Sequence, residues 1–154
     1  MSASTSVCRR CNDDDFAELA SLRYEWRAGD LGERGLDATV FEREMIEWMT
    51  QRRSTHQGYL AARDGATVGC AWLCVVDRVP APAEFVRRAG IIQSVYVRSS
   101  FRNVGIGTDL VRFIIDEARD MQLSYLGLHP SERSVPFYRR LGFAAYEGAL
   151  ELRF

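Results

Sequence analysis

Arg102-Asn103-Val104-Gly105-Ile106-Gly107-Thr108 decides how this chain is read. It follows a strand-like apolar run, Ile91 to Val97, and opens a helix patterned from Gly105 to Met121. In that helix Ile106, Leu110, Phe113, Ile114, Ala118 and Met121 share one face, while Asp109, Arg112, Asp116 and Asp120 face away. A strand, a tight basic turn with two glycines and then a helix is a physical recipe for holding a phosphate. The first amides of a helix have no acceptor inside it, and its dipole puts partial positive charge at the same end. Glycine lets a ligand approach the backbone and relieves the steric limits of the turn.

The neighbouring stretches frame this turn. Ser6 to Arg10 reads as a short first strand. Asn12-Asp13-Asp14-Asp15 is a helix-start signal, followed by Phe16, Leu19, Ala20, Leu22 and Trp26 on one helical face. Gly29 to Gly35 breaks that pattern, and a second amphipathic helix spans Ala38 to Gln51. Gly58 to Arg63 and Ala66 to Val76 are strands about an Asp64-Gly65 hairpin turn. Asp77 to Arg88, with Pro80 and Pro82, is an irregular loop before the central strand, whose apolar run suits burial on both faces. Ser124 to Leu128 is a further strand. Ser134 starts a short helix that Leu141-Gly142-Phe143 ends, the glycine supplying a left-handed residue. Phe143 to Tyr146 and Leu150 to Phe154 alternate as a closing hairpin. The order gives an α/β fold in one domain, residues 1–154.

Composition excludes several classes. A chain of 154 residues, 47% hydrophobic and 27% charged, is a globular protein with a real core. A formal net charge of −1 argues against nucleic acid and anionic membrane as partners. There is no apolar run of membrane-spanning length and no signal-peptide pattern at the start, so a cytoplasmic location is expected. All 20 basic residues are arginine, which removes a P-loop or Schiff-base lysine. Cys8-x-x-Cys11, with Cys70 and Cys74, lacks histidine at ligand spacing. Free thiols and no metal are expected.

The turn also resembles the motif of the GCN5-related N-acetyltransferases, in which Gln or Arg is followed after two residues by Gly, one residue, then Gly or Ala. Arg102, Gly105 and Gly107 read it. A Tyr-x-x-x-Gly-Phe box of that family is read by Tyr138, Gly142 and Phe143. The resemblance covers Gln57 to Phe154 by motif and Ser6 to Gln51 by element order. It implies a mixed, mostly antiparallel sheet of about seven strands with about four helices, splayed at the central strand. It implies acetyl-CoA as co-substrate, with the amides of Asn103, Val104, Gly105, Ile106, Gly107 and Thr108 around the pyrophosphate, Arg102 adding a cation, and Val95, Tyr96 and Val97 pairing with the pantetheine arm. Such a splay requires a local disruption of the strand ladder. Family sheets often pair between subunits, and Leu150 to Phe154 is a candidate strand for a homodimer.

Attack of an amine on a thioester needs a neutral amine, a donor for the developing oxyanion and an acid for the leaving thiolate. The backbone amide of Val95 suits the second role, and Tyr138 matches the family tyrosine in the third. For the base, Gln93 and Ser94 stand where several family members carry glutamate, and neither takes a proton at neutral pH. Glu84 and His129 are equal candidates, with a water chain as the alternative. Trp26 and Trp72 are aromatic candidates for the acceptor side, Trp48 fits a core stripe, and Asp30, Glu33 and Asp37 read as a solvated polar loop. The activity implied is acetyl transfer to a primary amine of a small molecule or a peptide N-terminus. The alternative is an acyl-CoA-binding sensor of the same fold without turnover. A dinucleotide fold is excluded because Gly105-x-Gly107 continues to Leu110 where a third glycine or alanine belongs.

Overall fold

The structure, a computed structural model, describes residues 6–154. Its elements in order are β1 (Val7–Arg10), α1 (Phe16–Tyr24), a π-helical turn (Glu25–Asp30), α2 (Ala38–Arg52), β2 (His56–Arg63), β3 (Ala66–Arg78), β4 (Arg87–Val97), α3 (Ile106–Asp120), β5 (Leu126–Gly127) and α4 (Val135–Arg140). The sheet order is β1-β2-β3-β4-β5. The first four strands are antiparallel neighbours, and β5 joins β4 in parallel. Asn12 caps the start of the first helical segment as its acidic run requires. Asp64 and Gly65 turn the β2–β3 hairpin with φ of 52° and 79°, the left-handed pair that matches strand twist.

Two cores lie on the two faces of this sheet. On one, Tyr59, Ala61, Val68, Ala71, Leu73 and Ile92 pack against Ile106, Leu110, Val111 and Ile114 of α3. On the other, Leu60, Cys70, Trp72 and Tyr96 meet Phe16, Leu19, Ala20 and Leu22 of α1 and Met49 of α2. The helical face read from the sequence is thus the buried face of α3.

β4 does not run true. Trp72 pairs with Gln93, yet Cys70 pairs with Tyr96, so one residue of β3 faces Ser94 and Val95 together. Ser94 takes up the extra length with φ of 59°. This bulge shifts the side-chain alternation by one, and that shift keeps both Ile92 and Val95 on the α3 face. On its other side β4 pairs with β5 only at Gly90↔Leu126 and Ile91↔Gly127. From the bulge to Val97 that edge of the strand is open, which is the splay expected at the central strand.

The sheet has five strands among the described residues where about seven were expected. The difference is the closing hairpin: Phe143 to Tyr146 and Leu150 to Phe154 form no strand, and Leu150, Leu152 and Phe154 are exposed. Their alternation has no buried face within the chain to settle on, and an unsupported hairpin is marginal.

The π-helical turn is held against the bulged half of β4. Arg98 donates to both carboxylate oxygens of Glu25 at 2.9–3.1 Å and to the carbonyl of Thr67 at 2.7 Å. The Tyr96 hydroxyl lies 3.0 Å from Glu25 and 3.2 Å from Asp30, and the Tyr96 ring stacks on Trp26 at 5.5 Å. The hydrogen bonds from Arg98 hold the Glu25 carboxyl below its ordinary value of 4.5. Its stabilising effect is therefore present above that value and lost as pH falls through and below it. Equilibrium denaturation of Glu25→Gln should show a shallower loss of stability across that acidic range than the parent protein. Leu110→Ala, at a fully buried site of α3, should lower unfolding free energy by about 2–5 kcal/mol in the same assay.

Candidate active site

Backbone geometry makes the turn after β4. A short 3₁₀ turn, Ser99–Phe101, ends the strand. Asn103 and Gly105 then adopt φ of 62° and 93°. At Gly105, the residue preceding α3, the positive φ would strain any side chain although there is room for one. None of the amides from Asn103 to Thr108 donates to a backbone acceptor among the described residues, the first helical bond being Asp109 to the carbonyl of Gly105. Six unused donors at the head of a 15-residue helix form an anion cradle.

A cleft of about 430 Å³ adjoins this cradle, lined by Val97, Arg102, Asn103, Gly105, Gly107, Thr108, Phe137 and Arg140. Phe137 of α4 stands 3.7 Å from where a side chain on Gly107 would begin, an ordinary contact distance, so α4 packs directly against the turn. Ile106 sends its side chain into the core, and only its amide faces this region's chemistry. Val104 is exposed. Arg102 is held rather than free: its Nε donates to the carbonyl of Val97 at 2.8 Å and its Nη2 to Asp30 at 2.9 Å. Asp30 is thus a partner of the turn, not a plain solvated loop residue. Arg140 supplies a second cation to the cleft and has no carboxylate partner among the described residues. Sequence reasoning passed over it, although it lies two positions after Tyr138 in a helix of six residues.

Val95, Tyr96 and Val97 carry the open edge of β4 toward the cleft. The side chains of Val95 and Val97 pack toward α3. Tyr96 is turned to the opposite face, where burial and its two carboxylate neighbours push its hydroxyl well above the usual phenol range. What this edge offers a ligand is therefore backbone, from the alternate residues whose amides and carbonyls point away from β3. The residues expected to bind the pantetheine arm and the pyrophosphate thus form a continuous run from the bulge to the head of α3.

Tyr138 lies on α4 between two rings, Phe137 at 4.9 Å and Phe143 at 5.6 Å, both edge-on. The amide of Phe143 donates to the carbonyl of Tyr138 at 3.1 Å, and Gly142 takes φ of 95°, so the Gly-Phe pair folds back beneath the tyrosine as the sequence suggested. Burial raises the Tyr138 phenol above its ordinary value of 10.0 and keeps it protonated at neutral pH. His129 is exposed after β5. Glu84 is exposed in the loop before β4, with 3.6 Å to Arg87 and a pair of backbone bonds between Ala81 and Glu84. Tyr138, His129 and Glu84 are all absent from the cleft lining, and α4 reaches the glycine turn through Phe137 and Arg140.

Residues 18–143 match the model of the Acetyltransferase (GNAT) family. A glucosamine 6-phosphate N-acetyltransferase of Trypanosoma brucei brucei is 36% identical over 66 residues, which is 43% of this chain and 45% of that enzyme. The match thus spans less than half the length of that relative. Among solved structures, a predicted acetyltransferase with acetyl-CoA from Clostridium acetobutylicum superposes with a TM-score of 0.78 at 20% identity, over 97% of this chain and 96% of that one. A GCN5-related N-acetyltransferase from Ralstonia eutropha JMP134 gives 0.73 at 24% identity, over 97% and 99%. The family match across most of the chain, and the shared fold, establish that this protein belongs to the GNAT acetyltransferase family.

Proposed function

We propose that the protein moves an acetyl group from acetyl-CoA to a primary amine of a small molecule or a peptide N-terminus, by direct attack in a ternary complex. The observation that carries this reading is the set of amides from Asn103 to Thr108 without a backbone acceptor among the described residues, which lies next to the β4 edge that β5 leaves unpaired and beside the helix that bears Tyr138. The amides and the cations Arg102 and Arg140 fit a pyrophosphate, and the open β4 edge fits the amide-bearing pantetheine arm. In this reading the Val95 amide donates to the oxygen that becomes negative as the amine adds. Tyr138 gives its proton to the departing thiolate, and the raised phenol value keeps that proton available. The amine loses its proton to Glu84, to His129 or to a water chain. The exposure of both side chains favours water.

That same exposure is the observation behind a second reading, a sensor that binds acyl-CoA without transfer. Thiol release with acetyl-CoA and a panel of amino acids, amino sugars, polyamines and peptides separates the two. Turnover supports transfer, and binding alone supports the sensor. Gly105→Val should weaken acetyl-CoA binding by about tenfold or more in calorimetry, from strain in the cradle, while circular dichroism shows a folded domain. Unchanged affinity would place the pyrophosphate elsewhere. Tyr138→Phe should lower kcat by about 10²-fold with acetyl-CoA affinity nearly unchanged, and equal turnover would remove Tyr138 from the reaction. Because burial raises the Tyr138 value, the alkaline fall in kcat caused by its ionisation belongs above pH 10.0 and should vanish in the phenylalanine variant.

A further inference from the structure

We infer that Arg23 binds the acceptor and that the acceptor amine carries an anionic group, a carboxylate or a phosphate. The inference rests on the acetyl-transfer reading and adds the substrate class. Arg23 lies near the end of α1 and is half-buried, and its Nη1 donates to Ser94 Oγ at 2.9 Å, at the bulge itself. Its guanidinium lies over the Trp26 ring at 5.1 Å. That hydroxyl is its one hydrogen-bond acceptor among the described residues, which leaves four of its five N–H donors without a protein acceptor.

Four of the other five half-buried arginines are answered by carboxylates. Arg27 pairs with Glu33, Arg63 with Asp64, Arg87 with Glu84 and Arg98 with Glu25, while Arg88 donates to the Met121 carbonyl just past α3 at 2.7 Å. Arg23 faces burial and the like charge of Arg27 with no carboxylate bound. A half-buried guanidinium without an anion has donors to spare, and its planar fork suits a carboxylate or phosphate in two-point contact. A second orphan donor stands on the same sheet face. Trp72 Nε1 is buried with no partner, on the β3 residue opposite Gln93. Arg23 is not part of the lining of the glycine-turn cleft, so the phosphates expected there leave it unsatisfied.

The test pairs amines that differ only in charge: an amino acid against its amide for the carboxylate, and a phosphorylated amino sugar against its unphosphorylated parent for the phosphate. With acetyl-CoA and thiol release, one anionic member should be preferred by about tenfold or more in kcat/KM, the scale of a charge-assisted contact. Arg23→Gln should erase that preference through the KM of the amine, leave the KM of acetyl-CoA unchanged and retain its circular dichroism. Arg23→Lys should recover part of it. A second readout needs no turnover: inorganic phosphate and acetate should change Trp26 fluorescence saturably, and the change should be lost in Arg23→Gln and in Trp26→Phe. Equal use of charged and neutral amines, or a preference that survives Arg23→Gln, overturns the inference and leaves acetyl transfer standing. Absence of turnover with every amine overturns acetyl transfer instead, and the fluorescence titration then decides whether Arg23 is an anion site.

Discussion

One extra residue in β4 sets the geometry on which everything else depends. At Ser94 the ladder to β3 slips by one, the strand bends, and its far edge separates from β5 after two pairings. β5 is only two residues long, so β4 beyond Ile91 has no strand on that side. The bulge moves the side-chain alternation so that Val95 and Val97 pack on the α3 face while Tyr96 enters the opposite core. In the proposed reading this stretch is where an extended ligand lies, and the bulge there costs no core packing.

Such an opening needs support from behind, and the π-helical turn provides it. Glu25, Trp26 and Asp30 grip Tyr96, Arg98 and Arg102, which lie at or beyond the bulge. Asp30 and the Val97 carbonyl fix the Arg102 guanidinium at the mouth of the glycine turn. The π-helical turn is therefore tied to the glycine turn through the Asp30–Arg102 pair. Extra turns of this kind within helices recur at functional sites because they re-aim side chains without ending the helix.

Much of this was legible in the residues. The period of α3 and the turn from Arg102 to Thr108 stand in the sequence, because a helix stripe and paired glycines have strong local causes. So does Tyr138 with its Gly142-Phe143 fold-back, and so does the disturbance required of the central strand. Ser94 itself was not read as the bulged residue. A serine at positive φ leaves no composition signal, though the break in alternation between Ile92 and Val95 was a clue. The π-helical turn was hidden because Gly29 reads simply as a helix breaker. Arg23, Arg140 and Asp30 acquire meaning only through contacts across the fold. Leu150 to Phe154 carries the pattern of a strand, but pattern alone does not provide a partner edge.

The central claim is that coenzyme A is held by backbone groups along the bulged strand and the glycine turn. Amide chemical shifts followed by NMR as acetyl-CoA is added to the isotopically labelled protein test it most directly. The account predicts that the largest shifts fall on Val95 to Val97 and Asn103 to Thr108, with β1 and β2 nearly unmoved. Shifts centred elsewhere, with those amides unchanged at saturation, would contradict it.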